Sequence, residues 1–103
     1  MEKQEVEAII QEKGLTAPRV TMDHIQAAIE DKVFTRVEGT NVTICVLKLK
    51  NGFTVIGHSA CVSDENFDME LGKKIAESNA TDQCWQLFGF HLASVVSGFT
   101  MDS

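Results

Sequence analysis

The sequence predicts an α+β fold in the order α-α-β-β-β-α, a three-stranded antiparallel sheet packed against helices. Three observations carry that expectation. Two runs of strand-forming residues, Val42 to Lys50 and Phe53 to Val62, flank Asn51-Gly52, a dipeptide that favours a tight hairpin. Apolar residues at helical spacing lie on both sides of the hairpin. The 103 residues, 44% of them hydrophobic, suffice for one core, since a chain of this size buries about 65% of its surface on folding. A single domain over 1–103 is expected, with a peripheral N-terminal helix in 1–17, a core in 18–92 and a loosely held tail in 93–103.

The elements follow in order. Residues 2–13 place Val6, Ile9 and Ile10 at helical spacing before Gly14, but so short and charged a helix is not stable alone. Leu15 to Val20 holds the one proline, Pro18, and reads as a connection. Thr21 is a good N-cap and Asp23 suits the first turn of a helix, predicted over Met22 to about Lys32 with Ile25, Ala28 and Ile29 on one face. Val33 to Val37 is a short strand and Glu38-Gly39-Thr40-Asn41 a turn. If Asn51-Gly52 is a two-residue type I′ loop, Lys48 faces Val55, Val46 faces Gly57, Leu47 faces Ile56 and Cys45 faces His58. One face then carries Val42, Ile44, Val46, Phe53, Val55 and Cys61, and the other Cys45, Leu47, Leu49, Ile56, Ala60 and Val62. Both faces are apolar, whereas a sheet with one wet face alternates. Helices can cover one side; the other needs the N-terminal segment, a loop or a second copy of the chain, and with few elements to spare in 103 residues a homo-oligomer is expected. After a polar loop over residues 63–68, a last helix is predicted from Asp68 to Phe88, with Leu71, Ile75, Ala76, Ala80, Cys84, Leu87 and Phe88 on its apolar stripe.

Charge and cysteine content exclude several classes. Fifteen acids against nine bases give −6, and the longest basic cluster is Lys73-Lys74. Nucleic-acid binders need a basic stripe that displaces counterions, so extended nucleic-acid contact is not expected. No apolar run approaches the ~20 residues of a membrane span, and the charged, polar N-terminus does not read as a secretory leader. Cys45, Cys61 and Cys84 lack a CxxC spacing, which fits reduced thiols in a cytosol. His24, His58 and His91 match no zinc signature, so no metal and no cofactor are expected.

Candidate chemistry is sparse. Cys45 beside His58 would be a nucleophile and base, but no third orienting group is identifiable and a buried thiol is the simpler reading. Lys73 and Lys74 near a helix start can hold a phosphate, joined by Arg36 or Arg19. Phe53 and Trp85 can stack on a base, or simply pack. The α-β-β-β-α order from Thr21 also matches double-stranded RNA-binding domains, although the surrounding acids oppose that role.

A set of residues resembles a family of small bacteriophage proteins, the phage gene forty-nine/gene sixty-six type. They are Pro18-Arg19-Val20-Thr21, His24-Ile25, the run from Thr43 through Val55, Gly57, Ser59-Ala60-Cys61, Asn66-Phe67-Asp68, Gly72 through Ala76, Ala80 and Trp85. The resemblance implies a phage accessory protein in the host bacterial cytoplasm, and by context a counter-defence role. The function expected is non-enzymatic: a homo-oligomer that sequesters a small nucleotide immune signal of cyclic or ADP-ribose type, with Arg36, Phe53, His58, Lys73, Lys74 and Trp85 as candidate ligand-binding residues. The alternatives are an acidic inhibitor of a host protein and a double-stranded-RNA-binding-like module.

Overall fold

The computed structural model describes residues 3–12 and 17–102. The element order is α1 (Lys3–Glu12), α2 (Met22–Ala28), β1 (Ile29–Arg36), β2 (Val42–Leu49), β3 (Thr54–Ala60), a 3-10 turn (Asp64–Asn66) and α3 (Met69–Ser97). The strands form one antiparallel sheet in the order β1-β2-β3, so the central strand is the most apolar one. This is the α+β arrangement that the sequence predicts.

α2 begins on a reciprocal cap. The Thr21 hydroxyl accepts the His24 N–H, and the His24 Nδ1 accepts the Thr21 N–H, which satisfies two of the otherwise orphaned donors. The helix ends at Ala28 rather than near Lys32. Ile29 is already extended and opposite Leu49, with a bulge before Asp31. Pairing with β2 outweighs a helical pattern that rests on few apolar residues, so β1 starts four residues earlier than Val33.

The hairpin register differs by one residue from a two-residue loop. Leu49 faces Phe53 across a three-residue turn: its N–H donates to the Phe53 carbonyl and its carbonyl accepts the Gly52 N–H, each at 2.9 Å. Only Gly52 of the turn is left-handed, at φ 90°, so a type I′ loop, which needs two such residues, is not formed. The Asn51 side chain accepts the Phe53 N–H at 2.9 Å and holds the turn. Cys45 therefore faces Gly57, not His58, which sits opposite Ile44. The slip flips β3 relative to β2. Val55 points into the core beside Leu47, while Ile56 points out beside Val46.

α3 covers the face that carries Thr43, Cys45, Leu47, Leu49, Val55, Gly57 and Ser59. The core comprises Ile25, Cys45, Leu47, Leu49, Val55, Ala76, Ala80 and Cys84, flanked by Val20, Ile29, Phe34, Trp85 and Phe88. The approach is closest at Gly57. A Cβ there would collide with the Ala80 backbone nitrogen and the Ala76 carbonyl oxygen. The opposite face carries Val33, Val42, Ile44, Val46 and Ile56, of which Val33 and Ile56 are exposed. Among the described residues, no element covers it.

α3 is capped at both ends. Asp68 Oδ1 accepts the Glu70 and Leu71 N–H groups. Gly98, left-handed at φ 74°, closes the helix, and the Phe99 N–H reaches back to the Ser94 carbonyl at 3.0 Å. The helix thus runs nine residues past Phe88, through a stretch predicted as a loose tail. Ser94 is absorbed by donating its hydroxyl to the Phe90 carbonyl at 2.9 Å.

Two glycine substitutions check this packing. Gly57→Ala has no space except by lifting α3 from the sheet, and stability to urea should fall by about 3 kcal/mol. Gly89→Ala meets nothing within 4 Å, and replacing a mid-helix glycine should raise stability by ~0.5–1 kcal/mol.

Candidate functional site

The larger cavity lies at the hairpin-turn end of the sheet, between the turn and the second half of α3, and holds about 390 Å³. That falls within the roughly 300–1,000 Å³ range of small-molecule sites. Its walls follow from the local structure. The three-residue turn swings Phe53 beside Leu49, α3 continues far enough to bring Leu87, Phe88 and His91 opposite, and the end of α2 contributes Ala28. Lys50 and Asn51 stand on the turn itself. The Lys50 backbone is fixed by an N–H bond to the Ala28 carbonyl at 2.9 Å. The lining is mostly apolar, contains three phenyl or imidazole rings, and includes no acidic residue.

A second cavity of about 130 Å³ lies at the opposite end of the sheet, where α3 starts. Phe67, Asn41, Thr43 and Gly72 are among its walls. Arg36, the last residue of β1, stacks its guanidinium 3.9 Å from the Phe67 ring centroid. The same side chain donates to the Thr40 carbonyl at 2.8 Å and to Asn41 Oδ1 at 3.1 Å. Lys73 reaches back across α3 to place its ammonium 5.8 Å from the Phe34 ring.

The six residues singled out from the sequence are spread over the fold. Arg36 and Lys73 share the α3-start end, each against an aromatic ring. Lys74, next along the helix, is exposed. Phe53 is at the other end, in the larger cavity. His58 projects from the uncovered sheet face, and Trp85 packs half-buried against the core. The first free N–H groups of α3, the expected phosphate seat, already bond the Asp68 carboxylate. Sequence reading missed Lys50, Leu87, Phe88 and His91 as a group, because their convergence depends on the hairpin slip and on the helix continuing past Gly89. Three of them, Leu87, Phe88 and His91, follow helical spacing and were open to recognition once α3 was extended.

Nucleophile chemistry has a weak footing. Cys45 is buried opposite Gly57, and burial, with Glu77 adding to it and Lys32 opposing, pushes its thiol above the ordinary range. Burial pushes Cys84 the same way, and its Sγ lies 3.7 Å from the Ala80 carbonyl. Both are the protonated, poorly nucleophilic form at neutral pH. Among the described residues, no group of three or more His, Cys, Asp or Glu side chains is placed to hold a metal ion.

Residues 20–96 match the model of the Phage protein (N4 Gp49/phage Sf6 gene 66) family. The chain belongs to this family of phage proteins. The match spans β1 to β3, α2 and nearly all of α3, including every wall of the larger cavity. No curated protein and no solved structure matches the chain.

The thiols provide a check on the burial. A disulfide-exchange reagent at pH 8 should modify Cys61, which is only half-buried, in a fast phase, and Cys45 and Cys84 only as the protein unfolds. Because the two buried thiols ionise less readily folded than unfolded, their contribution to stability is intact below the ordinary thiol pKa of about 8.5 and declines as pH rises through and above it. Urea midpoints measured from pH 7 to pH 10 should therefore fall, and by less in a Cys84→Ala variant.

Proposed function

We propose that this phage protein is a non-catalytic binding protein that sequesters a small nucleotide signal of the cyclic or ADP-ribose type, acting within the host bacterial cell as a counter-defence factor. The observation that carries the reading is the larger cavity's lining: in a chain of net charge −6, it has apolar rings, a lysine and no acid. Phe53 and Phe88 offer faces for a base, a contact that is worth about 1–3 kcal/mol per base in single-strand binders. Lys50 and Asn51 at the turn offer a cation and an amide to phosphate or ribose oxygens. No bond needs to break for such a ligand to be withheld from its receptor, and the raised, buried thiols support a role without nucleophilic catalysis. No helix among the described residues is long and apolar enough to cross a membrane.

The test is titration of the purified protein with cyclic dinucleotides, cyclic ADP-ribose and ADP, followed by thermal unfolding and calorimetry. At least one should raise the melting temperature and be recovered chemically intact after heat release. Phe53→Ala should weaken that binding by tenfold or more. Lys50→Glu should weaken it and flatten its salt dependence. Lys73→Ala, at the far end of the sheet, should leave it unchanged. A panel in which nothing binds, or in which the Lys73 variant is the one that fails, overturns the assignment of the site.

A further inference from the structure

We propose that the uncharged end of α3 is the interface of a homodimer, with a second copy of this chain as its occupant. The inference goes beyond the ligand reading above and stands without it.

Residues 83–101 contain no Asp, Glu, Lys or Arg, although charged residues make up 23% of the chain. The hairpin turn faces Leu87, Phe88 and His91 across the larger cavity, so the residues from Leu92 to Ser97 project beyond it for roughly 9 Å at 1.5 Å per residue. Phe90, Val95 and Val96 are 68%, 64% and 66% exposed. Their positions on the helix lie roughly 100–140° apart, so exposed apolar side chains stand on three sides of the helix end, with His91, Ser94 and Ser97 among them. Apolar side chains on several sides of a helix normally mark a buried one. Phe99 and Met101, past the Gly98 cap, are exposed as well, and Phe99 folds back edge-on to Phe90 with centroids 6.3 Å apart.

The area is of the right size. Phe90, Val95, Val96, Phe99 and Met101 together expose on the order of 700 Å², close to the ~800 Å² that each partner buries in a standard interface.

Charge selects the occupant. Two chains of −6 repel, and they associate most readily through a surface from which the acids are missing; charged residues are depleted at interface cores in general. A foreign partner steered by complementary charge would find none on this surface. An anionic lipid surface would be met by basic residues beside the apolar stretch, and there are none between 83 and 101. An antiparallel pair of projections meets both requirements: each helix end is covered on one side by the partner's helix and on another by the partner's hairpin end. Leu87, Phe88 and His91 belong both to this stretch and to the larger cavity, so the interface borders that cavity.

Light scattering on the full chain at 50 µM should give twice the 11.4 kDa chain mass. Phe90→Glu with Val96→Glu should give the single-chain mass with an unchanged helical circular dichroism signal, because both positions are exposed. Should that variant lose helix, the milder Val96→Gln should weaken dimerisation at least tenfold while folding normally. A wild-type monomer at 50 µM overturns the proposal. So does a dimer that survives the α3 changes and dissociates on Ile56→Glu, which would place the contact on the uncovered sheet face. Co-sedimentation of a monomeric wild type with vesicles of phosphatidylglycerol and phosphatidylethanolamine would overturn it in favour of a lipid surface. Nucleotide binding measured on the monomeric variant separates this outcome from that of the ligand reading.

Discussion

The contact between Gly57 and the backbone of α3 at Ala76 and Ala80 sets the distance between helix and sheet, and the rest of the architecture conforms to it. With no Cβ at Gly57 and only methyl groups at Ala76 and Ala80, the two backbones approach as closely as sterics allow. Gly72 repeats the arrangement one turn earlier, against Thr43, where Ser59 also donates its hydroxyl to the Gly72 carbonyl at 2.9 Å. Small residues thus line the first half of α3. Bulk is displaced to the far end, where Trp85, Leu87 and Phe88 take over and the helix no longer sits down on the strands. The larger cavity is the space this change of side-chain size leaves beside the hairpin turn.

Orientation is fixed by hydrogen bonds more than by charge. β3 is an edge strand, and its outward carbonyls at Ile56 and His58 accept from Gln83 Nε2 at 2.7 Å and Asn79 Nδ2 at 2.8 Å. These two amides sit one helical turn apart and match the two-residue repeat of the strand, which pins α3 in rotation and along its axis. They also occupy acceptors through which another chain could add a strand. The Lys32–Glu77 ion pair on the β1 side spans 3.0 Å, but both side chains are about a third exposed, so it is worth under ~1 kcal/mol. Its removal would leave the helix where steric fit and the amide bonds put it.

The sequence made most elements legible and misplaced their ends for identifiable reasons. Thr21 and Asp68 are local signals whose physics is confined to one turn, and both helix starts fall beside them. The hairpin was legible from Asn51-Gly52, but that dipeptide suits both a two-residue loop and the last two positions of a three-residue one. What decides between them is long-range. The longer turn puts Gly57, not Ile56, against α3, and Ile56 could not be accommodated where Ala80 approaches to backbone contact. The start of β1 has the same cause, since Ile29 is committed by Leu49 on another strand. Ser94 and Ser97 broke the apolar pattern of α3 because pattern reading treats a hydroxyl as exposed, whereas Ser94 satisfies its own within the helix. Of the candidate ligand residues, Phe53 alone lines the larger cavity. The others were chosen for their chemistry one at a time, and convergence is a property of the register.

The two proposals share residues, and that has a thermodynamic consequence. Leu87, Phe88 and His91 line the cavity and also lie on the uncharged helix stretch. A ligand held by Phe53 and Lys50 on one side must order the α3 side chains on the other, and the same side chains border the second copy. Linkage then requires that if ligand changes the dimerisation constant by some factor, dimerisation changes ligand affinity by that factor. The sign follows from geometry. A partner that narrows the mouth of a half-open cavity adds apolar wall and excludes water, which strengthens the Lys50 contact by lowering the local dielectric. Coupling is positive in that arrangement. A partner whose helix end enters the cavity instead competes with the ligand, and coupling is negative. Under the proposed reading, in which a signal is withheld at low concentration, positive coupling is the useful case, because association and capture then reinforce each other and release requires both to be undone.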